Sequence, residues 1–457
     1  MYFKKIDSEG LSHFSYILGS LNDAVVIDPK RDIQEYLDIC IKQGFSIKYI
    51  FETHRNEDYI IGSREFSRLL PNAEIFRGND LPYEYGTTLR DGQRFTFGDC
   101  KIKAIHTPGH TLGHYSYVVY GENMEDQPQF VFTGDALFAG DTGRTDFYGE
   151  QRKSEISGLL YDSIHQKILP LGDEVILCPA HGSGSVCGSK IEERFPTTIG
   201  IEKKLNSQLK MSRNDFVKNK VEELHTFPPY FKKMEEFNLG KAPYLYERNF
   251  PKPLNPKEVQ QWIDKSAQIV DTRNPSDYGG AHIKGSICIW LEGLPSFSGW
   301  MLNYEDPIIL ILEKNEDVTK ATNYLSRIGF DNIVGFLNGG LLKWCVAALP
   351  IEHTELITVH ELKTLIETGS EIMVLDVRSQ EEWNEGHLSP AFNIYAGQVP
   401  VNLEKIPKDT SIVVHCSVGL RATVAASALE NKGYKKIKIV LGSYNAWENA
   451  GYPIKFE

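Results

Sequence analysis

Histidine and aspartate occur in four short segments of the first 200 residues, each time beside glycine, proline or threonine. The segments are Thr53-His54-Arg-Asn-Glu-Asp58-Tyr59, Thr107-Pro-Gly-His110, Phe132-Thr-Gly-Asp135 and Pro179-Ala-His181. Imidazole nitrogens and carboxylate oxygens are common ligands of transition metals. A single histidine is most often structural, but four segments of the same type predict a metal site.

A second kind of chemistry is predicted around Cys416. The apolar run Ser411-Ile-Val-Val-His415 reads as a buried strand, and a helix is predicted shortly after the cysteine. The loop, with Gly419 in it, would direct backbone N–H groups and the positive end of the helix dipole at the sulfur. Arg421 would close this ring with a cation. Such surroundings stabilise a sulfur anion, so we expect Cys416 and Arg421 to be catalytic and Gly419 to bind the substrate.

Short apolar runs precede the candidate metal segments and predict the strands that position them. These runs cover residues 24–28, 47–51, 101–106, 116–120 and 129–133. Each ends near polar or glycine-rich residues, as strands that deliver catalytic loops do. Residues 201–256 read as helical and then proline-rich, which predicts a connector.

The C-terminal part contains an internal repeat of about 100 residues, the usual size of a small domain. The paired positions are Asp271 with Asp376, Arg273 with Arg378, His282 with His387, and Trp344 with Trp447. Strand and helix signals alternate in both copies, which predicts two small parallel α/β domains. In the first copy Leu312 and Asp317 replace Cys416 and Arg421, so we expect that copy to be inactive. The predicted domains are residues 1–255, 256–355 and 356–457.

Composition excludes several classes of protein. The 457 residues carry a formal net charge of −12, and 41% are hydrophobic, which is typical of a globular protein. No basic cluster suggests a nucleic-acid partner, and no apolar run is long enough to predict a membrane span. The N-terminal residues lack the apolar stretch of a secretory signal, and the cysteines form no CxxC pair, so we expect a cytoplasmic protein. A homo-oligomer remains open.

The order of the metal-type segments resembles the metallo-β-lactamase superfamily over about residues 1–200. The resemblance implies an αββα sandwich with metal at one edge. The first superfamily motif, His-x-His-x-Asp-His, reads here His54-Arg-Asn56-Glu-Asp58-Tyr59. Asparagine is a poor ligand and tyrosine a rare one, which weighs against a two-zinc hydrolase site.

Three of the candidate ligands, His54, His110 and Asp135, remain as the two-histidine, one-carboxylate set of non-haem Fe(II) oxygenases. In the persulfide dioxygenase branch of the superfamily the matching positions hold one Fe(II) per chain. The resemblance then implies that Asp58, Tyr59 and His181 surround the ligands or their solvent network.

Two further segments resemble this branch. Gly143-Arg144-Thr-Asp-Phe147 matches its Gly-Arg-Thr-Asp-Phe signature, which implies that Arg144 offers a guanidinium fork to an anionic substrate. The glycine-rich segment that contains Cys187 resembles the subgroup fused to rhodanese domains. Cys187 is therefore expected near the metal, as a thiol that contacts the substrate and carries a persulfide; the alternative is a buried, inert thiol.

Residues 357–457 resemble the rhodanese (sulfurtransferase) family. Four residues separate Cys416 from Arg421, one fewer than in related phosphatases, and this narrower loop suits sulfur. The whole chain resembles bacterial persulfide dioxygenase–sulfurtransferase fusions. The implied reaction oxidises glutathione persulfide or coenzyme A persulfide with O₂ to sulfite and thiol, and Cys416 transfers sulfur to give thiosulfate. The implied setting is sulfide detoxification.

Two alternatives remain open on the sequence. A hydrolase of the glyoxalase II type would cleave a thioester with a metal-bound hydroxide and would hold nearly two ions per chain. A sulfur carrier that does not oxidise its substrate would use Cys416 alone. Metal content distinguishes the first alternative, and oxygen consumption distinguishes the second.

Overall fold

The computed structural model describes residues 1–122, 127–188 and 190–456. The chain forms two compact units, residues 1–247 with 326–329, and residues 248–325 with 330 to the C-terminus. In the part of the chain that is described, no helix has both the length and the apolar character needed to cross a membrane.

The first unit contains two six-stranded sheets. One has the order β1-β2-β3-β4-β5-β6, and the other has the order β12-β11-β10-β9-β8-β7. The strands are β1 Tyr2–Ser8, β2 His13–Ser20, β3 Asp23–Ile27, β4 Ser46–Phe51, β5 Glu74–Arg77, β6 Thr87–Thr88, β7 Arg94–Phe97, β8 Cys100–His106, β9 Tyr115–Tyr120, β10 Pro128–Gly134, β11 Ile176–Pro179 and β12 Thr197–Thr198.

The helices of the first unit are α1 Gln34–Gln43, α2 Ser63–Leu69, α3 Glu150–Ser163, α4 Ile199–Leu205, α5 Arg213–Glu222 and α6 Phe231–Glu236. Helices α1 and α2 pack on the outer face of the first sheet, and α3, α4 and α5 on that of the second. Phe51 and Phe132 belong to the core between the sheets. Tyr36 of α1 packs in a second core on the first sheet, and Leu160 of α3 packs in a third core on the second sheet. The predicted αββα sandwich is confirmed, because apolar side chains fill both faces of each sheet.

The second unit contains two five-stranded parallel sheets, ordered β13-β18-β17-β14-β16 and β20-β24-β23-β21-β22, and a two-stranded sheet, β15-β19. The strands are β13 Lys252–Leu254, β14 Gln268–Asp271, β15 His282–Ile283, β16 Ile287–Cys288, β17 Ile308–Ile311, β18 Ile333–Leu337, β19 Ile351–Glu352, β20 Glu355–Ile357, β21 Ile372–Asp376, β22 Phe392–Asn393, β23 Ser411–His415 and β24 Ile437–Val440. The predicted pair of parallel α/β domains is confirmed.

The helices of the second unit repeat in the same way. They are α7 Pro256–Ile263, α8 Pro275–Gly280, α9 Leu294–Met301, α10 Val318–Arg327, α11 Gly340–Val346, α12 Val359–Glu367, α13 Gln380–Asn384, α14 Leu420–Asn431 and α15 Ser443–Asn449. Helices α7 and α12 each begin with a capping box, made by Asn255 with Glu258 and by Thr358 with Glu361. These short-range signals explain why the two copies begin alike.

Both copies also contain the same internal contacts. The pairs are Asp271–Arg273 at 2.6 Å and Asp376–Arg378 at 2.7 Å, and the stacked rings Tyr278–His282 and Trp383–His387 at 3.9 and 3.7 Å. Strand β13 pairs with β18 in the sheet of the first copy.

Candidate metal centre and sulfur-transfer loop

Strand ends position the candidate metal ligands. His54 follows β4, His110 follows β8, and Asp135 comes directly after β10. His54 Nε2 lies 3.6 Å from Asp135 Oδ2, and His110 Nε2 lies 3.4 Å from the same oxygen. These three atoms are buried, and none has a hydrogen-bond partner among the described residues. Buried polar atoms normally have partners, so three bare ligand atoms facing one another fit a metal ion.

Hydrogen bonds orient both histidines. Thr53 Oγ1 donates to Asp28 Oδ2 at 2.7 Å and therefore accepts from His54 Nδ1 at 2.8 Å. His110 Nδ1 donates to the carbonyl oxygen of Arg144 at 3.0 Å. Burial lowers the pKa of His54 and of His110, so both rings are neutral. With the proton held on Nδ1, each Nε2 keeps the lone pair that a metal ion binds.

His181 lies between two carboxylates. Its Nδ1 donates to Asp135 Oδ1 at 2.7 Å, and its Nε2 donates to Asp58 Oδ2 at 3.0 Å. Burial by itself opposes the charge, but Asp135 and Asp58 raise the pKa of His181 well above its usual value. A protonated His181 has no lone pair for a metal. It holds one oxygen of Asp135 and leaves Oδ2 facing the two histidines.

The two positions that depart from the superfamily motif are turned to other partners. The hydroxyl group of Tyr59 lies 2.7 Å from His13 Nε2. The side-chain amide of Asn56 donates to the carbonyl oxygen of His54 at 3.3 Å. The Asn56 amide oxygen has no hydrogen-bond partner among the described residues, but a neutral amide is a poor ligand for zinc or iron.

Arg144 is fully buried, and its guanidinium fork is occupied. Nε and Nη2 donate to Asp146 at 2.7 and 2.8 Å, and Nη1 donates to the carbonyl oxygens of Val186 and Thr226 at 3.2 Å. The resemblance predicts a fork open to an anionic substrate. In the structure the fork is not open, because Asp146, two residues further along the chain, forms an ion pair with the guanidinium group. Substrate binding by Arg144 stays a prediction.

The backbone around Arg144 connects the metal centre to the loop that contains Cys187. The Arg144 N–H donates to the carbonyl oxygen of Cys187 at 3.1 Å. A side chain on Gly143 would place its Cβ 2.0 Å from the Asp135 carbonyl oxygen, so only glycine fits there. Close packing against Asp135 therefore explains the glycine of the Gly-Arg signature, and the arginine contributes a backbone hydrogen bond to the Cys187 loop.

Cys187 lies beside the candidate ligands. Its sulfur, a nitrogen of His110 and an oxygen of Asp135 all lie within 4.8 Å of one another. The thiol is buried. Burial raises its pKa well above the usual value, and the nearby carboxylates raise it further. The structure thus brings Cys187 together with two of the predicted ligands.

Two residues near the ligands were not singled out on the sequence. His114 Nε2 accepts a hydrogen bond from the Asp135 N–H at 3.1 Å and so fixes the backbone of that ligand. A carboxylate oxygen of Glu57 lies within 4.8 Å of ring nitrogens of His54 and His110. The spacing His54-x-x-Glu57 is a signal that could have indicated the second residue, whereas the contact of His114 depends on long-range packing.

The Cys416 loop joins β23 to α14. The Gly419 N–H donates to Cys416 Sγ at 3.1 Å. Gly419 has a φ of +116°, which disfavours any residue with a side chain. The Cys416 N–H donates to Ser443 Oγ at 3.2 Å, and this bond anchors the start of the loop.

Arg421 lies beside this loop and is paired with a carboxylate. Its Nη1 and Nη2 donate to the Glu382 oxygens at 2.6 and 2.7 Å, and Nη2 also donates to Ser417 Oγ at 2.7 Å. Burial opposes the charge of Glu382, but Arg421 lowers the pKa of this carboxyl to about 2. In the first copy Leu312 occupies the position of Cys416 as a buried apolar side chain.

Two family models match parts of the chain. The metallo-beta-lactamase superfamily model matches residues 9–181, and the rhodanese-like domain model matches residues 255–347 and 358–450. A crystal structure of a metallo-beta-lactamase from Staphylococcus aureus superposes with a TM-score of 0.65 at 29% identity, and covers 74% of this chain and 99% of that chain.

Two curated relatives match the first domain. Human mitochondrial persulfide dioxygenase ETHE1 is 32% identical over 208 residues, which are 45% of this chain and 74% of that protein. A cytoplasmic hydroxyacylglutathione hydrolase from Arabidopsis thaliana is 35% identical over 137 residues, which are 29% of this chain and 52% of that protein.

The fold and these matches define a metallo-β-lactamase-type metal-binding domain followed by two rhodanese-like domains. Within that superfamily the chain belongs to the ETHE1 persulfide dioxygenase family. Both kinds of domain point to sulfur metabolism.

Proposed function

We propose that this protein is an Fe(II)-dependent persulfide dioxygenase with a sulfurtransferase activity. The substrate is a low-molecular-weight persulfide, RSSH, carried by glutathione or coenzyme A. The first reaction is RSSH + O₂ + H₂O → RSH + H₂SO₃, in which the outer sulfur is oxidised and O₂ is reduced. This activity would serve sulfide detoxification.

The convergence of three bare ligand atoms on one point carries the proposal. His54 Nε2, His110 Nε2 and Asp135 Oδ2 would hold one Fe(II) per chain, in the two-histidine, one-carboxylate set of non-haem iron oxygenases. The iron, when bound, would supply the redox chemistry that activates O₂ toward the persulfide sulfur.

The protein's own side chains would position and shield this chemistry. Thr53 and the Arg144 carbonyl oxygen hold the ligand rings, and His181 holds the far oxygen of Asp135. Complete burial of the ligands excludes bulk water, which strengthens every polar interaction within the site. Cys187, which lies beside His110 and Asp135, would contact the persulfide or carry its sulfur.

The C-terminal domain would perform sulfur transfer through Cys416. In the loading step, Cys416-SH + RSSH → Cys416-SSH + RSH, and the sulfane sulfur moves to the protein. In the release step, Cys416-SSH + SO₃²⁻ → Cys416-SH + S₂O₃²⁻, and sulfite becomes thiosulfate. The Gly419 N–H, which already donates to Cys416 Sγ, would stabilise the sulfur anion. Arg421, whose Nη2 donates to the neighbouring Ser417 Oγ, would support it with a positive charge.

A hydrolase of the glyoxalase II type is the less favoured alternative. Among the described residues, a second ion would need ligands from Asn56, from Tyr59, or from Asp58, His181 and Cys187, whose donor atoms lie within 4.8 Å of one another. The Tyr59 hydroxyl group contacts His13, and both nitrogens of His181 are bonded to carboxylates. A second ion would have to displace these hydrogen bonds, whereas the three proposed ligand atoms of the first site make none.

The test is to purify the protein anaerobically, measure its metal content, and record O₂ uptake with glutathione and coenzyme A persulfides. We expect close to one iron per chain, and sulfite or thiosulfate in proportion to the O₂ consumed. About two ions per chain together with thioester hydrolysis and no O₂ uptake would support the hydrolase instead.

A further inference from the structure

We infer that Glu57 is a fourth metal ligand of this centre, and that its carboxylate binds the ion beside His54, His110 and Asp135. This inference rests on the proposed function, since it concerns the same ion. The three ligands named above are those of the superfamily motifs, whereas Glu57 occupies a variable position within the first motif.

The first support is the position of Glu57. It lies in the loop after β4, three residues beyond His54, and it is 3% exposed. One of its carboxylate oxygens lies within 4.8 Å of a ring nitrogen of His54 and of His110. An ion bound by both histidines would therefore lie within reach of this carboxylate after a small side-chain movement.

The second support is the shortage of partners for this carboxylate. Glu57 Oε1 lies 2.7 Å from Arg55 Nε, but Oε2 has no hydrogen-bond partner among the described residues. The Arg55 guanidinium is shared, because Asp80 lies 4.0 Å and Glu235 lies 3.0 Å from it. One cation thus serves three carboxylates, and a further cation beside the Glu57 carboxylate would stabilise its charged form.

The third support is the grouping of buried carboxylates around the histidines. Glu57, Asp58 and Asp135 are buried together. Both nitrogens of His181 are bonded to Asp58 and Asp135, so His181 does not serve Glu57. A divalent cation at the two bare histidine nitrogens would lie beside the Glu57 carboxylate.

The coordination chemistry is consistent with this role. A carboxylate oxygen is a good ligand for Fe(II), and an ion held by two histidines and one carboxylate has open positions. A fourth protein ligand would take one of these and leave others for small molecules. In this chain the motif lacks its second histidine, and the Asn56 that replaces it is a neutral amide and a poor ligand, so Glu57 would supply a charged donor from the adjacent residue.

Metal binding to the metal-free full-length protein tests the inference. Co(II), whose visible spectrum reports its ligands, and Fe(II) under anaerobic conditions would be titrated into wild type and Glu57→Gln. We expect the dissociation constant for each metal ion to be about 10-fold to 100-fold higher in Glu57→Gln, or higher still. Residues that only orient metal ligands already change metal affinity by about that factor. We also expect an altered Co(II) spectrum. Unchanged affinity and an unchanged spectrum would overturn the inference.

Two further variants control for folding. Glu57→Asp keeps the carboxylate on a shorter side chain and should retain part of the affinity lost in Glu57→Gln. Glu52→Gln is the matched control, because Glu52 is equally buried but accepts its hydrogen bond from Tyr85 at 2.9 Å. Equal losses of affinity in Glu52→Gln and Glu57→Gln would show a general packing effect and overturn the assignment.

The outcome is separable from that of the proposed function. Co(II) binding needs neither persulfide nor O₂. If Glu57→Gln weakens Co(II) binding while the wild-type iron protein consumes no O₂ with any persulfide, Glu57 is a ligand and the proposed oxygenase function is wrong. If wild type oxidises persulfides and Glu57→Gln binds Co(II) normally, the function stands and the fourth ligand is wrong.

Discussion

The carboxylate of Glu430 accepts a hydrogen bond from the hydroxyl group of Tyr278 at 3.3 Å. Tyr278 belongs to the first rhodanese copy, and Glu430 lies on α14, the helix that begins directly after the Cys416 loop. Glu430 also accepts from Thr354 Oγ1 at 2.6 Å and lies 3.7 Å from His282 Nε2. The first rhodanese copy, which has Leu312 at the position of Cys416, thus contacts α14, the helix that begins after the Cys416 loop of the second copy.

Replacing Glu430 by alanine should therefore weaken sulfur transfer from a distance. Loss of these hydrogen bonds should lower the free energy of unfolding by about 1–3 kcal/mol and loosen α14. We expect thiosulfate formation to fall while O₂ uptake stays at the wild-type level. Chemical denaturation and both activity assays would be compared with Glu371→Ala, a change at an exposed residue of the same domain. Wild-type transfer rates and stability in Glu430→Ala would contradict a supporting role.

The ion pair between Arg421 and Glu382 predicts opposite effects of two substitutions. Arg421→Ala should slow transfer about 10-fold or more, because hydrogen bonds to charged groups contribute about 1.5–3 kcal/mol. Glu382→Gln removes the competing carboxylate and should lower KM for thiosulfate. Steady-state kinetics with thiosulfate and cyanide provide both values. A higher KM in Glu382→Gln would indicate that the carboxylate positions Arg421 rather than competing with the substrate.

Asp135→Ala should separate the two activities. It removes the only carboxylate among the three proposed superfamily-type ligands, so we expect iron content and O₂ uptake to fall to background. Thiosulfate sulfurtransferase activity should persist, because Cys416 belongs to the other compact unit. Asp162→Asn, which changes a residue paired with Arg213 away from the ligands, serves as control. Loss of transferase activity in folded Asp135→Ala would show that the two sites depend on each other.

Leu312→Ser tests the inactive copy. The buried leucine contributes to the core, so we expect a loss of about 3 kcal/mol in stability. Sulfur transfer by the folded fraction should be unchanged, since no nucleophile is lost. Leu312→Met, with a similar volume, should cost less than about 1.5 kcal/mol. A large fall in transfer rate with Leu312→Met at unchanged stability would assign this copy a part in the chemistry.

Cys416→Ser should abolish thiosulfate formation from persulfide while sulfite still accumulates. Mass spectrometry after exposure to thiosulfate should locate the added sulfur on Cys416. Both experiments would use protein that also carries Cys345→Ser. Cys345 is exposed and the other six cysteines are buried, so this change removes the thiol most open to unspecific reaction. Added sulfur on Cys187, with thiosulfate still formed by Cys416→Ser, would place the transfer in the first domain.

Features that depend on neighbours along the chain were predictable. The strands before His54, His110 and Asp135 follow from apolar runs that end in polar loops. The spacing of Cys416 and Arg421 and the repeat of the two α/β domains were equally readable. In these cases a few consecutive residues determine the backbone conformation, so the pattern alone is informative.

Features that depend on side-chain partners far apart in sequence required the folded chain. Arg421 and Glu382 are 39 positions apart, and nothing near either one indicates the pair. Asp146 occupies the fork of Arg144, although the motif suggested an open one. Glu57 lies near both histidines because the loops after β4 and β8, which belong to different sheets, come together in the folded chain. Tertiary packing determines which buried polar atoms have hydrogen-bond partners and which have none. Short sequence patterns do not contain this information, because the partners are distant in the sequence.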